Sequence, residues 1–220
     1  RHVGRAFDEL RRGLELVSTR GPQLLRLHSA PSFAALWLSP RLAGFLREHP
    51  GVEVRLAAGT DYTRFLNDEF DADIVYGLPR QEGLVVLPLG EETVTPLCTP
   101  AMARAIRTPA DLSAQLLIES ETKQVRWSDW FARNGLPPPR PQGMRFDRSF
   151  LAIAAAADGL GITLESTRLA EREIAIGRLV QPLQGRAEDV RYVGHHLVFP
   201  RSARQGQSLR LFTGWLGTEL

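Results

Sequence analysis

The 220-residue sequence has a single cysteine, Cys98, and a single lysine, Lys123. One cysteine excludes an internal disulfide and any metal site built from several thiolates. No apolar run approaches the roughly 18 residues that a membrane-spanning helix needs, so no membrane segment is predicted. The first residues are charged throughout and lack an initial Met. They do not resemble a signal peptide, and we expect a fragment whose natural N-terminus is missing.

Neither sign of charge is in large excess. The 27 basic residues, all arginine except Lys123, face 25 acidic ones, which leaves a formal net charge of +2. Such a small surplus is a weak electrostatic footprint and is no indication that this chain itself binds DNA. The hydrophobic share of 43% and the charged share of 24% are typical of globular proteins and exclude disordered or collagen-like classes.

The first twenty residues carry a heptad pattern. Apolar side chains recur at spacings of four, three, four and three, at Val3, Phe7, Leu10, Leu14 and Val17. This spacing is typical of a coiled-coil seam. Two heptads leave two interpretations open, a helix that pairs with a second helix and an amphipathic helix that packs on its own domain.

From residue 24 the pattern changes to an alternation of strands and helices, which favours an α/β fold with parallel sheets. In the first part we predict strands over 24–27, Val52–Leu56 and Ala72–Tyr76. One helix follows a cap at Ser32, and another spans Asp61–Phe70. In the second part we predict strands over Thr93–Cys98, Leu116–Ile118, Gly161–Leu164 and Leu179–Leu183, with a helix capped by Ser149. The chain then returns to a strand, His195–Phe199, and a last helix, Gln207–Leu216.

Several short segments together resemble one family. The run from Ser32 to Phe45, with His49-Pro50-Gly51 after it, is similar to the opening of the effector-binding domain of LysR-type transcriptional regulators. Further segments follow in the family's order: Asp71–Gly77, Thr108–Leu112, Asp158–Leu164 and Gly177–Val180. The stretches Trp37–Leu42 and Phe146–Ser149 look most like the branch of glycine-cleavage and β-lactamase gene activators.

This resemblance implies a two-lobed, periplasmic-binding-protein-like (type 2) fold, in which each lobe is a mostly parallel sheet flanked by helices. Lobe I would comprise residues 24–92 and 193–220, lobe II residues 93–192, and residues 1–23 the end of a linker helix. It also implies a cytoplasmic bacterial homo-oligomer, a dimer or tetramer. DNA would be bound only through an N-terminal domain that is missing from this chain.

The resemblance places the binding site for a small-molecule effector in the cleft between the lobes. The candidate effector-binding residues are Ser29, Ser32, Phe33, Thr60, Tyr76, Gly77, Thr95, Ser120, Asp147, Ser149 and His195. Helix N-termini attract anions, so a small carboxylate or an amino-acid-like ligand is the hypothesis for the effector. At His195 the related branch often has Tyr.

Some alternatives stay open at these residues. Ser32 and Ser149 fit ordinary helix caps as well as ligand contacts, and Asp147 fits both an acceptor for an amino group and a brace at the hinge. His195 and His196 are adjacent in a strand and point to opposite faces, so they do not indicate a metal site. No cofactor is expected.

No catalytic constellation is present, because the sequence has neither a nucleophile-elbow motif nor a phosphate-binding loop. We therefore expect a ligand sensor rather than an enzyme. The alternative is a free solute-binding receptor of the same fold.

Overall fold

The structure is a computed structural model that describes residues 23–63, 65, 69–79, 82–140 and 143–220. The predicted linker helix, with all five heptad positions, lies outside the described residues. Within them the strands are β1 (Gln23–Ser29), β2 (Val52–Ala58), β3 (Ala72–Tyr76), β4 (Leu84–Pro88), β5 (Glu92–Leu97), β6 (Leu117–Ser120), β7 (Arg145–Phe146), β8 (Ile162–Ser166), β9 (Val190–Tyr192) and β10 (His195–Pro200). The α-helices are α1 (Pro31–Phe33), α2 (Ser39–Glu48), α3 (Pro100–Ala103), α4 (Trp127–Arg133), α5 (Ser149–Ala157), α6 (Glu171–Ala175) and α7 (Gln207–Glu219).

The strands form two five-stranded sheets. The first sheet has the order β2-β1-β3-β10-β4 and the second the order β7-β6-β8-β5-β9. In each sheet four strands run in one direction and one strand runs against them, β10 in the first and β5 in the second. The chain crosses between the sheets twice, from β4 to β5 and from β9 back to β10. The division of the chain into lobes at the stated boundaries stays a prediction.

Apolar side chains pack helices onto each sheet. Phe45 of α2 and Phe212 and Trp215 of α7 belong to the core on the first sheet. Trp130 and Phe131 of α4 belong to the core on the second. These residues are at most 4% exposed, so each sheet has an apolar face covered by helices.

The segment between α1 and α2 is a π-helical turn, Ala34–Leu38. Pro40 follows it at the start of α2 and lacks the N–H that a regular helix would use. A π-turn shifts the hydrogen-bond pattern by one residue, which explains how the chain continues as a helix through this proline. Pro40 thus lies in the first turn of α2.

Two predicted elements are wrong in the described residues. Asp61–Thr63, Phe65 and 69–70 are not helical. The backbone N–H of Thr63 instead donates to the Asp73 carboxylate of β3 at 2.9 Å. The predicted strand Leu179–Leu183 is reduced to one bridge between Cys98 and Val180, because Pro182 has no N–H for a ladder.

Candidate functional site

A cavity of about 260 Å³ lies between the two sheets. Its walls follow the carboxyl ends of β1, β2 and β3 in the first sheet and of β6, β7, β8 and β9 in the second. The starts of β5 and β10, the two strands that run in the opposite direction, reach it as well. Ligands of α/β proteins bind at this end of the strands, because loops and helix N-termini converge there.

Six of the predicted site residues line the cavity: Ser32, Thr60, Tyr76, Asp147, Ser149 and His195. The other lining residues were not predicted: Ala30, Pro31, Tyr62, Glu92, Thr122, Lys123, Arg148, Ser166, Leu169 and Tyr192. Both sheets contribute to each of these groups. Whether these side chains contact an effector stays a prediction.

The remaining five predicted residues lie behind the lining. Phe33 packs against the His195 ring at a centroid distance of 4.7 Å. Ser29 and Thr95 are fully buried, and Ser120 Oγ donates to Glu165 Oε1 at 3.0 Å. Gly77 has a φ of +85°, a conformation that favours glycine.

Ser32 connects the two sheets. Its Oγ accepts a hydrogen bond from the backbone N–H of Phe150, in the first turn of α5, at 3.2 Å. The prediction that Ser32 and Ser149 are N-caps of their own helices is wrong, because the N-cap positions are Ala30 and Arg148. Pro31 supplies a helix-compatible φ and starts the first helix one residue early. Ser32 therefore caps a helix of the other sheet.

A tyrosine pair closes another side of the cavity. The hydroxyls of Tyr76 and Tyr192 are 2.6 Å apart, and the backbone N–H of Gln124 donates to Tyr76 Oη at 3.0 Å. Burial raises the pKa of both phenols, so both are neutral at ordinary pH. The pair joins β3 of the first sheet to β9 of the second.

Lys123, the single lysine, is buried and paired. Its Nζ donates to Glu165 Oε2 and, at 2.9 Å, to the carbonyl of Leu164. The other oxygen of Glu165 accepts from Ser120. Both charges of this pair are thus compensated, as buried charges must be.

Glu92 is a second buried acid, only 2% exposed, at the start of β5. Its Oε1 contacts His195 Nδ1, and Arg168 Nη1 lies 3.8 Å away. Burial raises the pKa of Glu92, but the hydrogen bond and charge of His195, together with Ser166 and Arg168, outweigh burial and leave this pKa below its usual value. Glu92 is therefore ionised at neutral pH.

The Oε2 atom of Glu92 and the Oγ atom of Ser166 are buried. Ser166 is near enough to lower the pKa of Glu92, but neither atom makes a hydrogen bond of good geometry to a described residue. Both residues line the cavity. Leaving such groups without a partner costs about 1–3 kcal/mol each.

Asp147 differs from Glu92 in exposure and pairing. Its side chain is 59% exposed and pairs with Arg148 at 2.9 Å. Its backbone carbonyl accepts from Thr122 Oγ1 at 2.8 Å. These contacts place Asp147 at the rim of the cavity.

Outside the cavity, the candidates for a second site are metal-ligating and nucleophilic side chains in the described part of the chain. Within the described ranges no cluster of three His, Cys, Asp or Glu side chains is arranged to hold a metal ion. Burial raises the pKa of the Cys98 thiol to about 11. No helix in the described part of the chain is both long and apolar enough to cross a membrane.

Two sequence signals pointed to residues that we did not predict. Lys123 is the one lysine of the chain, and Ser166 ends a buried strand at the edge where ligands bind. Glu92 and Tyr192 gave no such signal, because only the pairing of β5 with β9 brings them together.

Comparisons with known proteins identify the family of the chain. A family model described as the LysR substrate binding domain matches residues 19–220. The uncharacterized HTH-type transcriptional regulator y4mQ of Sinorhizobium fredii is 55% identical over 219 residues, which cover 99% of this chain and 74% of y4mQ. The HTH-type transcriptional regulator PerR of Escherichia coli K12 is 50% identical over 219 residues, 100% of this chain and 74% of PerR.

A solved structure matches the fold. The effector domain of the transcriptional regulator AmpR of Pseudomonas aeruginosa superposes with a TM-score of 0.76 at 28% identity, over 90% of this chain and 95% of that domain. The two-lobed periplasmic-binding-like fold predicted from the sequence is confirmed, and so is the expectation that the chain is not an enzyme. The comparisons give no support to a free solute-binding receptor. The chain belongs to the LysR-type transcriptional regulators, and it is an effector-binding domain of that family.

Proposed function

We propose that the cavity between the two sheets binds the effector of this regulator, a small carboxylate or an amino-acid-like ligand. The observation that carries the proposal is the cavity itself, which is lined by side chains from the strand ends of both sheets. At about 260 Å³ it is slightly smaller than the roughly 300 Å³ at which drug-sized pockets begin, so it suits a small ligand.

Ligand binding would act on contacts that join the lobes. The Phe150 N–H to Ser32 hydrogen bond and the Tyr76–Tyr192 pair both border the cavity and both join the sheets. A ligand that bonds to Ser32 or Ser149 changes the balance between lobe arrangements only if its affinity for those arrangements differs. In the parent protein, we propose, this change reaches DNA through a separate N-terminal domain of a cytoplasmic homo-oligomer.

Thermal shift and calorimetry with amino acids and small carboxylates test this proposal. Ser149→Ala is the sharper variant, because the Ser149 hydroxyl makes no hydrogen bond to another described residue. We expect it to raise about tenfold the ligand concentration that a given thermal shift requires. The melting temperature without ligand should stay nearly constant.

Ser32→Ala serves as the comparison, since it also removes a helix cap worth about 1 kcal/mol. It should lower both the ligand affinity and the melting temperature without ligand. If Ser149→Ala leaves ligand binding unchanged, the serine is only part of a helix start. If no carboxylate or amino acid shifts the wild-type chain, the proposed ligand class is wrong.

A further inference from the structure

The charges around the cavity are balanced. Among the described lining residues, the side chains of Lys123 and Arg148 are cationic, and those of Glu92 and Asp147 are anionic. The charge of Lys123 is already compensated by Glu165, that of Arg148 by Asp147, and that of Glu92 by His195 and Arg168. A ligand with a large net charge would meet no uncompensated opposite charge here, so the cavity favours a ligand that is neutral overall.

The Glu92 carboxylate has a hydrogen-bond acceptor to spare, although the charges of the cavity balance. Glu92 is ionised, and its Oε2 atom makes no hydrogen bond of good geometry to a described residue, Ser166 nearby included, although the side chain is 1% exposed. A carboxylate oxygen can only accept hydrogen bonds, so whatever completes this site must donate. A cationic N–H makes the strongest such bond to a carboxylate.

Ser166 adds a second group at the same place. It ends β8, is 1% exposed, lines the cavity and has a buried hydroxyl without a partner of good geometry in the described chain. An ammonium group has three N–H donors and accepts nothing, so it needs several acceptors side by side. Glu92 Oε2 and Ser166 Oγ are two such acceptors.

Another part of the cavity lining offers hydrogen-bond donors. Lys123 donates two of its three N–H groups, to Glu165 and to the Leu164 carbonyl, and the third has no partner among the described residues. Ser149 presents a hydroxyl at the start of α5, where the helix dipole favours a negative group. A ligand carboxylate would find its donors there.

We infer that the effector is a zwitterion with an α-amino-acid-like head, whose ammonium group binds Glu92 and Ser166. This inference rests on the proposed function, and it assigns the amino-group acceptor to buried Glu92 rather than to rim Asp147. The carboxylate then faces Lys123 and Ser149. The des-amino analogue of the effector should bind much more weakly, because it leaves Glu92 Oε2 unpaired.

The test uses the 220-residue chain and a panel of L- and D-amino acids, each paired with its des-amino carboxylate, such as alanine with propionate. Binding is measured by calorimetry. For the wild type we expect at least one amino acid to bind about tenfold or more tightly than its carboxylate partner. In Glu92→Gln this preference should disappear while the carboxylate binds as before.

Three further variants keep the inference falsifiable. Ser166→Ala makes a smaller change in the same subsite and should reduce the preference several-fold even if Glu92→Gln does not fold. Glu91→Gln removes the same charge one residue away, on an exposed side chain that does not line the cavity, and should preserve the preference. If Asp147→Asn rather than Glu92→Gln abolishes the preference, the assignment is overturned.

The inference and the proposed function fail in different ways. If carboxylates bind as tightly as their amino acids, the zwitterion inference is wrong and the proposed cavity function stands. If neither class binds, the proposed function is wrong as well.

Discussion

Two buried glutamates on neighbouring strands of the second sheet have different surroundings. Glu165 of β8 and Glu92 of β5 are 0% and 2% exposed, and their strands pair in antiparallel fashion. Glu165 has a partner on each oxygen, the Lys123 ammonium on one and the Ser120 hydroxyl on the other. Glu92 makes a hydrogen bond of good geometry through one oxygen only, from Oε1 to His195.

The difference indicates different roles. A buried charge with all its partners supports the fold, and any ligand that disturbed it would have to replace strong bonds. A buried charge with one vacant acceptor is already held in place and ready for a donor. The complete pair therefore supports the fold, whereas the incomplete one fits the ammonium subsite proposed above.

The largest effect is expected from Lys123→Met. This change leaves the Glu165 charge buried without its cation, and breaking a buried pair in this way destabilises by about 3–5 kcal/mol. Urea denaturation measures the loss. The double variant Lys123→Met with Glu165→Leu should recover most of it, since no charge then remains. A wild-type-like midpoint for the single variant would mean that Lys123 is not needed to compensate Glu165.

Glu92→Gln should have a smaller effect, with a characteristic pH dependence. The folded protein holds the pKa of Glu92 below its usual value of 4.5, because His195, Ser166 and Arg168 outweigh burial. A lowered carboxyl pKa contributes stability above the unfolded pKa, and that contribution is lost as the pH falls through the folded pKa. We expect the free energy of unfolding of the wild type to exceed that of Glu92→Gln by about 1.5–3 kcal/mol at pH 7.

The measurement is urea denaturation at a series of pH values from 7 down to about 3. The gap between wild type and Glu92→Gln should narrow below about pH 4.5, as the wild-type carboxylate takes up a proton. Glu91→Gln is the matched control and should show no such gap. A constant difference at all pH values would contradict an ionised Glu92 in the folded state.

The contrast between the two glutamates could not be predicted from the sequence. The alternation of strands and helices predicted most elements of both sheets, because the apolar periodicity of β1, β2 and α5 is local. The strand β9, Val190–Tyr192, is too short to show a periodic pattern of apolar residues. The segment Leu179–Leu183 does look like a strand, but Pro182 interrupts it. Local pattern and long-range pairing disagree at these two places.

The site shows the same division. Ser32 and Ser149 were predicted because they stand at recognisable helix starts. Glu92, Ser166 and Tyr192 meet only after β5 pairs with β8 and β9, and nothing in their immediate neighbours announces that contact. That an acid on β5 keeps one oxygen vacant is a property of the assembled sheet and not of any segment.

Cys98 extends the comparison to a buried ionisable group that has no charge partner, and here the expected effect is the absence of a reaction. Its side chain is 0% exposed, and burial raises the pKa of the thiol to about 11. Since the thiolate is the nucleophile, very little reactive form exists at pH 8. Iodoacetamide should leave the native chain unmodified by mass spectrometry and should label it completely in guanidinium chloride. Rapid labelling of the native chain would mean that the thiol is accessible and that burial does not protect it.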